Sequence, residues 1–191
     1  MNTLQHDSLL CNNPQTTVSQ YLAMEEAKDR DGIAKFIRGR FQERYIQPFA
    51  NNPKKSGFIM IASACLMIEA LESFWNGWRK SPNSAKAFCQ FFDREDRFSL
   101  LRGHAQEFYA HVRCGIMHQA ETTGGWHIRR DLGVLLDVPT KTIDATVFLS
   151  QMDGSLADYC ARLNRVAWES EEWKKLRKKM KDVCVNTQPA A

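Results

Sequence analysis

The chain has 191 residues, 43% hydrophobic and 25% charged, which is enough apolar material for one sizeable core and too little length to make a second domain the default. Its formal charge of +4 and pI near 8.8 permit a polyanionic partner but fall below the pI above ~9 that marks a dedicated nucleic-acid-binding domain. Glycine-rich phosphate loops are excluded, because neither Gly-x-x-x-x-Gly-Lys-Ser/Thr nor Gly-x-Gly-x-x-Gly occurs.

In chain order, MNTLQHDSLLCNNPQ lacks a basic start followed by a continuous apolar run, so it does not read as a signal peptide. Residues 1–16 are expected to be a flexible N-terminal arm, followed by a single helical domain over 17–183. From Thr17 to about Phe49, Tyr21, Met24, Ile33, Phe36, Ile37, Phe41 and Tyr45 recur at threes and fours, the spacing of an amphipathic helix. Gly32 is expected to break it, and Pro48 with the Asn-Asn-Pro run after it to close it. Asp29-Arg30-Asp31-Gly32 is like the middle of a calcium loop, but Ala27 and Arg38 then fill the first and twelfth positions, where carboxylates are needed.

The segment from Phe58 to about Arg79 predicts a helix that is apolar on most faces. Glu69 interrupts its apolar run short of the ~18–20 residues a membrane-spanning helix needs. It reads as the central helix of the fold, with no membrane partner. Ser84 is the expected N-cap of a short helix over AKAFCQFF, and a further helix is expected from about Leu100 to Glu121. Gly124-Gly125 then ends the helix, and Trp126-x-Ile128 alternates as a strand does. With Pro139 and several β-branched residues following, a small β-hairpin or flap is expected over 124–144. Helical pattern resumes at about Asp144, with a last long helix from Ser155 to about Lys181 bent near Ser170, and 184–191 as a flexible tail. The basic run in Glu171–Asp182 suits a phosphate backbone, but its acidic start and basic continuation also suit a solvated helix face aligned with the helix dipole. Together these elements predict a mainly α fold, a bundle of four to five helices with a small β insertion. The six cysteines form no Cys-x-x-Cys pair and several fall in apolar helical segments, which predicts reduced thiols and a cytoplasmic protein.

The span FYAHVRCGIMHQAE, residues 108–121, holds the most chemistry. His104, His111 and His118 are seven residues apart, so an ideal helix returns them to nearly one face, with Cys114 between the last two. Imidazole and thiolate are good zinc ligands. Yet the outer two of His111, Cys114 and His118 are separated by roughly 10 Å of rise, which suits a single tetrahedral ion poorly. A zinc-binding helix therefore stands as an alternative, and no cofactor is expected. The other constellation needs no metal. Arg113 supplies a guanidinium that clamps a phosphate, and His118 an imidazole that moves a proton near neutral pH. RNA can be cut this way because its own 2′-hydroxyl is the nucleophile. On a straight helix five residues separate the two side chains by about 140°, so they meet only if the helix distorts near Gly115 or a second copy completes the site. His111, Cys114, Glu69, Glu72 and Glu121 are expected supporting residues, with Glu69 or Glu72 pairing with Arg113, orienting His118, or forming a salt bridge at the edge of the core. Trp126 and His127 are candidates to stack on a base, although such a tryptophan also suits pinning a flap to the core.

Arg113-Cys-Gly-Ile-Met-His118, late in an apolar helical chain, resembles the signature of HEPN domains, in which a gap of four to six residues separates an arginine from a histidine. The resemblance implies an all-α bundle that forms a homodimer, with two signature motifs facing each other in a composite site. Many HEPN proteins are metal-independent endoribonucleases in toxin–antitoxin, phage-defence or RNA-processing systems, and others are non-catalytic nucleotide-binding, RNA-binding or regulatory modules. It further implies Arg113 on the scissile phosphate, His118 as acid or base, RNA as a substrate and an antitoxin-type protein as a further partner. The chain departs from the pattern at Cys114, where active relatives often carry Asn, Asp or His.

Overall fold

A computed structural model describes residues 7–50, 52–54 and 56–187. It is mainly α, with two small sheets. The first sheet corrects the expected flexible arm over 1–16. Strands β1 (Leu9–Asn12) and β2 (Gln15–Thr17) form an antiparallel hairpin in which Leu10 and Cys11 are buried. Asn13 crosses α2 (Arg30–Phe41) at Gly39, where a Cβ would lie 2.1 Å from its carbonyl oxygen. Only glycine admits that approach. Arg40 and Arg44 both donate to the Leu10 carbonyl, so two cations of the following helix hold the hairpin edge. The first six residues lie outside the described residues.

Thr17 caps α1 (Val18–Glu26) with a reciprocal bond from Gln20, a capping box. The break that follows falls at 27–29 rather than at Gly32. Lys28 turns to φ 54° and the Asp29 carboxylate caps α2 through the Gly32 N–H. Pro48 does not end the helix outright. The turns before it widen to a π-helix over Gln42–Ile46, and α3 (Gln47–Ala50) carries the proline, whose missing N–H cannot serve the Arg44 carbonyl.

Helix α4 (Gly57–Asn76) is central, packed by α5 (Ser84–Arg94), α8 (Ala145–Arg165) and α9 (Glu171–Thr187). Among the described residues it is one helix long and apolar enough to cross a membrane, but 61% of that stretch is buried inside the fold. Asn83, not Ser84, caps α5. Helix α8 begins at Ala145, where helical pattern was expected to resume, and runs through Ser155 unbroken, because Asp144 caps it through the Thr146 and Val147 N–H groups. The expected bend near Ser170 is a full break between α8 and α9. The C-terminal tail expected from 184 is instead the last turn of α9, with Cys184 buried against the core; residues 188–191 lie outside the described residues.

The flap expected over 124–144 is a three-stranded mixed sheet. Strand β5 (Thr142–Asp144) lies in the middle, parallel to β3 (His127–Arg129) and antiparallel to β4 (Leu136–Asp137). Two residues pin it to the bundle. Trp126 is 2% exposed, edge-on to Phe108 with centroids 6.1 Å apart, and Phe108 stacks on Phe148 of α8 at 5.5 Å. Asp144, nearly fully buried, accepts from the Leu132 and Gly133 N–H groups while capping α8. Burial of its carboxylate is offset by four hydrogen bonds. All six cysteines are free thiols.

Candidate functional site

The helix expected from Leu100 to Glu121 is a sequence of different pitches. A 3-10 stretch over Asp96–His104 leads into α6 (Ala105–Glu107), a π-helical segment over Phe108–Arg113, and α7 (Cys114–Gln119). The π turns hold more residues than an α turn, so a seven-residue spacing no longer returns to one face. The three-histidine stripe is thereby dissolved. His104 is edge-on to Trp126. His111 is held by the returning chain, with Nδ1 2.9 Å from the Thr123 hydroxyl while the Thr123 N–H donates to the His111 carbonyl. His118 stands exposed beyond them. Among the described residues, no three His, Cys, Asp or Glu side chains, His111, Cys114 and His118 included, gather as a ligand set.

Gly115 explains how the chain leaves the motif. Ala120 takes a left-handed conformation at φ 55°, and the chain folds back so that the Glu121 carbonyl oxygen lies 2.5 Å from where a Gly115 Cβ would be. A side chain there would push the return segment away. The return segment therefore covers the His111–Gly115 face of the helix, and α4 covers the Arg113 face. What remains open is the edge of Met117 and His118, with the half-buried Cys114 three and four residues before them.

Arg113 is fixed. Its Nε donates to one Glu69 oxygen on α4 at 3.0 Å, Nη2 lies 2.8 Å from the same oxygen in the ion pair, and the two side chains are only 17% and 20% exposed. The guanidinium also lies 5.5 Å from the Tyr109 ring centroid. Burial by itself would lower the guanidinium pKa, but the charge of Glu69 and its hydrogen bonds outweigh burial and hold Arg113 above its ordinary value. Glu69 accepts a further bond from the Ser84 hydroxyl at 2.8 Å, so one carboxylate joins α4, α5 and the motif helix.

The remaining expected site residues divide. Glu69 takes the pairing role; Glu72 does not. Glu72 is fully buried and paired with Arg94, while Asn76 also donates to it, the salt bridge at the edge of the core. Burial raises its carboxyl above the ordinary value in spite of Arg94. Glu121 accepts from the neighbouring Thr122 N–H at 2.9 Å and hydrogen-bonds neither Arg113 nor His118. Trp126 is buried, so stacking on a base is corrected to pinning the flap. His127 is exposed on β3, its N–H given to the Lys141 carbonyl. Arg113 and His118 do not join within one chain, as the straight-helix angle requires, because residues 114–119 are regular α-helix.

No protein-family model, no curated protein and no solved structure matches the chain. Its chemistry is therefore read from this geometry alone.

Two surface features escaped the sequence reading. Helix α4 leaves Ile59 and Leu66 57% and 47% exposed, with the half-buried Ala62 between them. Helix α7 runs beside this stripe in the opposite direction: Arg113 meets Glu69 at one end, and Glu121 and Phe58 share a cavity at the other. Met117, 50% exposed, and His118 are both exposed on α7. The spacing 59, 62, 66 is helical, but a helix apolar on most faces hides which face stays outside. The second feature is a groove along β3, lined by Lys54, Phe58 and Arg129.

Proposed function

We propose that this chain is a HEPN-like, metal-independent endoribonuclease that acts as a homodimer through Arg113 and His118. One observation carries the reading: Arg113 is locked to Glu69 at one end of an exposed apolar stripe, while the side chain of His118, five residues on, is exposed and hydrogen-bonds none of the described residues. A two-fold interface uses the same patch on both copies. Docking of the Ile59–Leu66–Met117 surface on its counterpart buries the stripe and sets two motifs face to face. Each Arg113, held rigid, binds a phosphate oxygen and stabilises the charge that develops on it. Each His118 takes the 2′-hydroxyl proton or delivers one to the leaving 5′-oxygen.

The ion pair also favours a second reading, a non-catalytic module in which Arg113 simply fastens the motif helix to α4. One experiment separates the two. Light scattering and incubation with RNA in excess chelator are performed on the parent, Arg113→Ala, His118→Ala and Leu66→Glu. The endoribonuclease reading expects a dimer that cuts RNA without metal, loss of cutting in the first two variants, and a folded, inactive monomer in the third. A dimer that leaves RNA intact supports the binding module, and a parent protein that is monomeric removes the composite site. An antitoxin-type partner is expected to protect RNA by covering this same surface.

A further inference from the structure

Beside the motif, two cavities flank strand β3. One, of about 680 Å³, is lined by Lys54, Phe58, Ile128, Arg129, Arg130 and Asp131 among others. The second, of about 460 Å³, shares Phe58, Ile128 and Arg129 and adds Glu121, Thr122 and His127. With three residues in common they form one groove, running from the loop before α4 to the end of the motif helix, three residues past His118. Each of the two cavities by itself has a volume in the range of small-molecule sites, ~300–1,000 Å³.

The charge in this groove is incompletely balanced. Arg130 donates to the Asn52 and Lys54 carbonyls, and to the Ser56 and Thr146 hydroxyls at 3.2 Å each. All four acceptors are neutral, so its full positive charge remains. Lys54 is exposed. Arg129 and Asp131 form a two-bond pair at 2.8 and 2.9 Å, an exposed pair that a stronger anion can share. Glu121, the other carboxylate on the groove, is turned to the Thr122 N–H. No acidic residue sits in the first turn of α4, which opens here at Gly57, so the positive end of its dipole is not cancelled either. Phe58 supplies an aromatic ring on the wall, half-buried and outside the packed core. Cations around one free aromatic face are the chemistry of single-stranded nucleic-acid binding.

We infer that this groove seats a nucleotide of single-stranded RNA adjoining the bond cut at the motif, its base on Phe58 and its phosphates against Lys54, Arg129 and Arg130. The position relative to the cut rests on the endoribonuclease reading; binding in the groove does not need cleavage. The test is fluorescence anisotropy of a labelled ten-nucleotide single-stranded RNA with the His118→Ala protein in chelator, as a function of salt. Into this background are placed Lys54→Glu with Arg129→Glu, Phe58→Leu, and, as a control of equal charge change, Lys174→Glu with Lys178→Glu on α9.

The groove pair is expected to weaken binding at least tenfold and to reduce the salt slope by about 1.4, at ~0.7 for each phosphate no longer neutralised. Phe58→Leu is expected to weaken it about fivefold or more through weaker stacking. The α9 pair is expected to stay within about twofold of the background, since its charges lie off the strand's path. Lys54→Arg with Arg129→Lys restores binding. No binding by the background protein, equal loss from both charge-reversed pairs, or competition by a nucleoside monophosphate as effective as by the oligonucleotide each overturns the inference. Cleavage by the parent protein is scored separately. Binding lost in the groove variants without any cleavage keeps the groove and removes the nuclease, and cleavage with unaltered binding does the reverse.

Discussion

Replacing Glu69 by glutamine removes the charge that fixes Arg113 while preserving the size of the side chain. One hydrogen bond from Arg113 Nε at 3.0 Å and an ion-pair contact from Nη2 at 2.8 Å converge on one oxygen, between side chains about four-fifths buried. Exposed ion pairs contribute ~0.2–1 kcal/mol, whereas hydrogen bonds to charged groups contribute ~1.5–3 kcal/mol. Burial places this pair in the second class, so Glu69→Gln is expected to cost about 2 kcal/mol. At ~2–4 °C per kcal/mol for a chain of this size, the melting temperature falls by roughly 4–8 °C. The bond from the Ser84 hydroxyl survives, because the glutamine carbonyl oxygen also accepts. The assay is a double-mutant cycle by urea and thermal denaturation over the parent, Glu69→Gln, Arg113→Met and the double variant. A coupling energy of about 1.5–3 kcal/mol is expected, and one below ~0.5 kcal/mol would refute the view that α4 holds Arg113 in place.

Two further outcomes follow from neighbouring groups. Burial raises the Glu72 carboxyl above its ordinary value of 4.5, so the folded chain holds this proton more tightly than the unfolded one, and stability is expected to fall as pH climbs from 4.5 through the folded value. Glu72→Gln should flatten that part of the melting-temperature profile; an unchanged slope would assign the titration to another group. Gly115→Ala places a methyl 2.5 Å from the Glu121 carbonyl oxygen, a backbone atom that cannot swing aside, and is expected to destabilise the fold by about 1–3 kcal/mol. Calorimetry showing no loss would mean that the return segment does not depend on that close crossing.

Local pattern was enough for much of the architecture. The spacing of Ile33, Phe36, Ile37 and Phe41 sets a buried helix face, the long apolar run after Gly57 sets the central helix, and the shift from threes and fours to alternation at Trp126 locates the β insertion within 124–144. These follow from short-range periodicity, which a sequence displays directly. The hairpin at 9–17 was hidden because it buries only Leu10, Cys11 and Thr16, and what holds it is Gly39 and Arg40 some thirty positions away.

The site divided in the same manner. The Arg113–His118 spacing and their separation around the helix were legible, because residues 114–119 form an ordinary α-helix. The choice of Glu69 over Glu72 as the partner of Arg113 was not, since both stand on one helix and only the packing of the motif helix and α5 on either side decides between them. Nor was the loss of the histidine stripe, which depends on a π-helical pitch over 108–113 that leaves no mark in hydrophobic spacing. By itself the sequence determined which residue types lie within a few turns of each other. The tertiary structure decided which helix face meets a partner, which stays bare beside His118, and which cations on the loop before α4 and on β3 share one groove, because each depends on how segments far apart in the chain pack together.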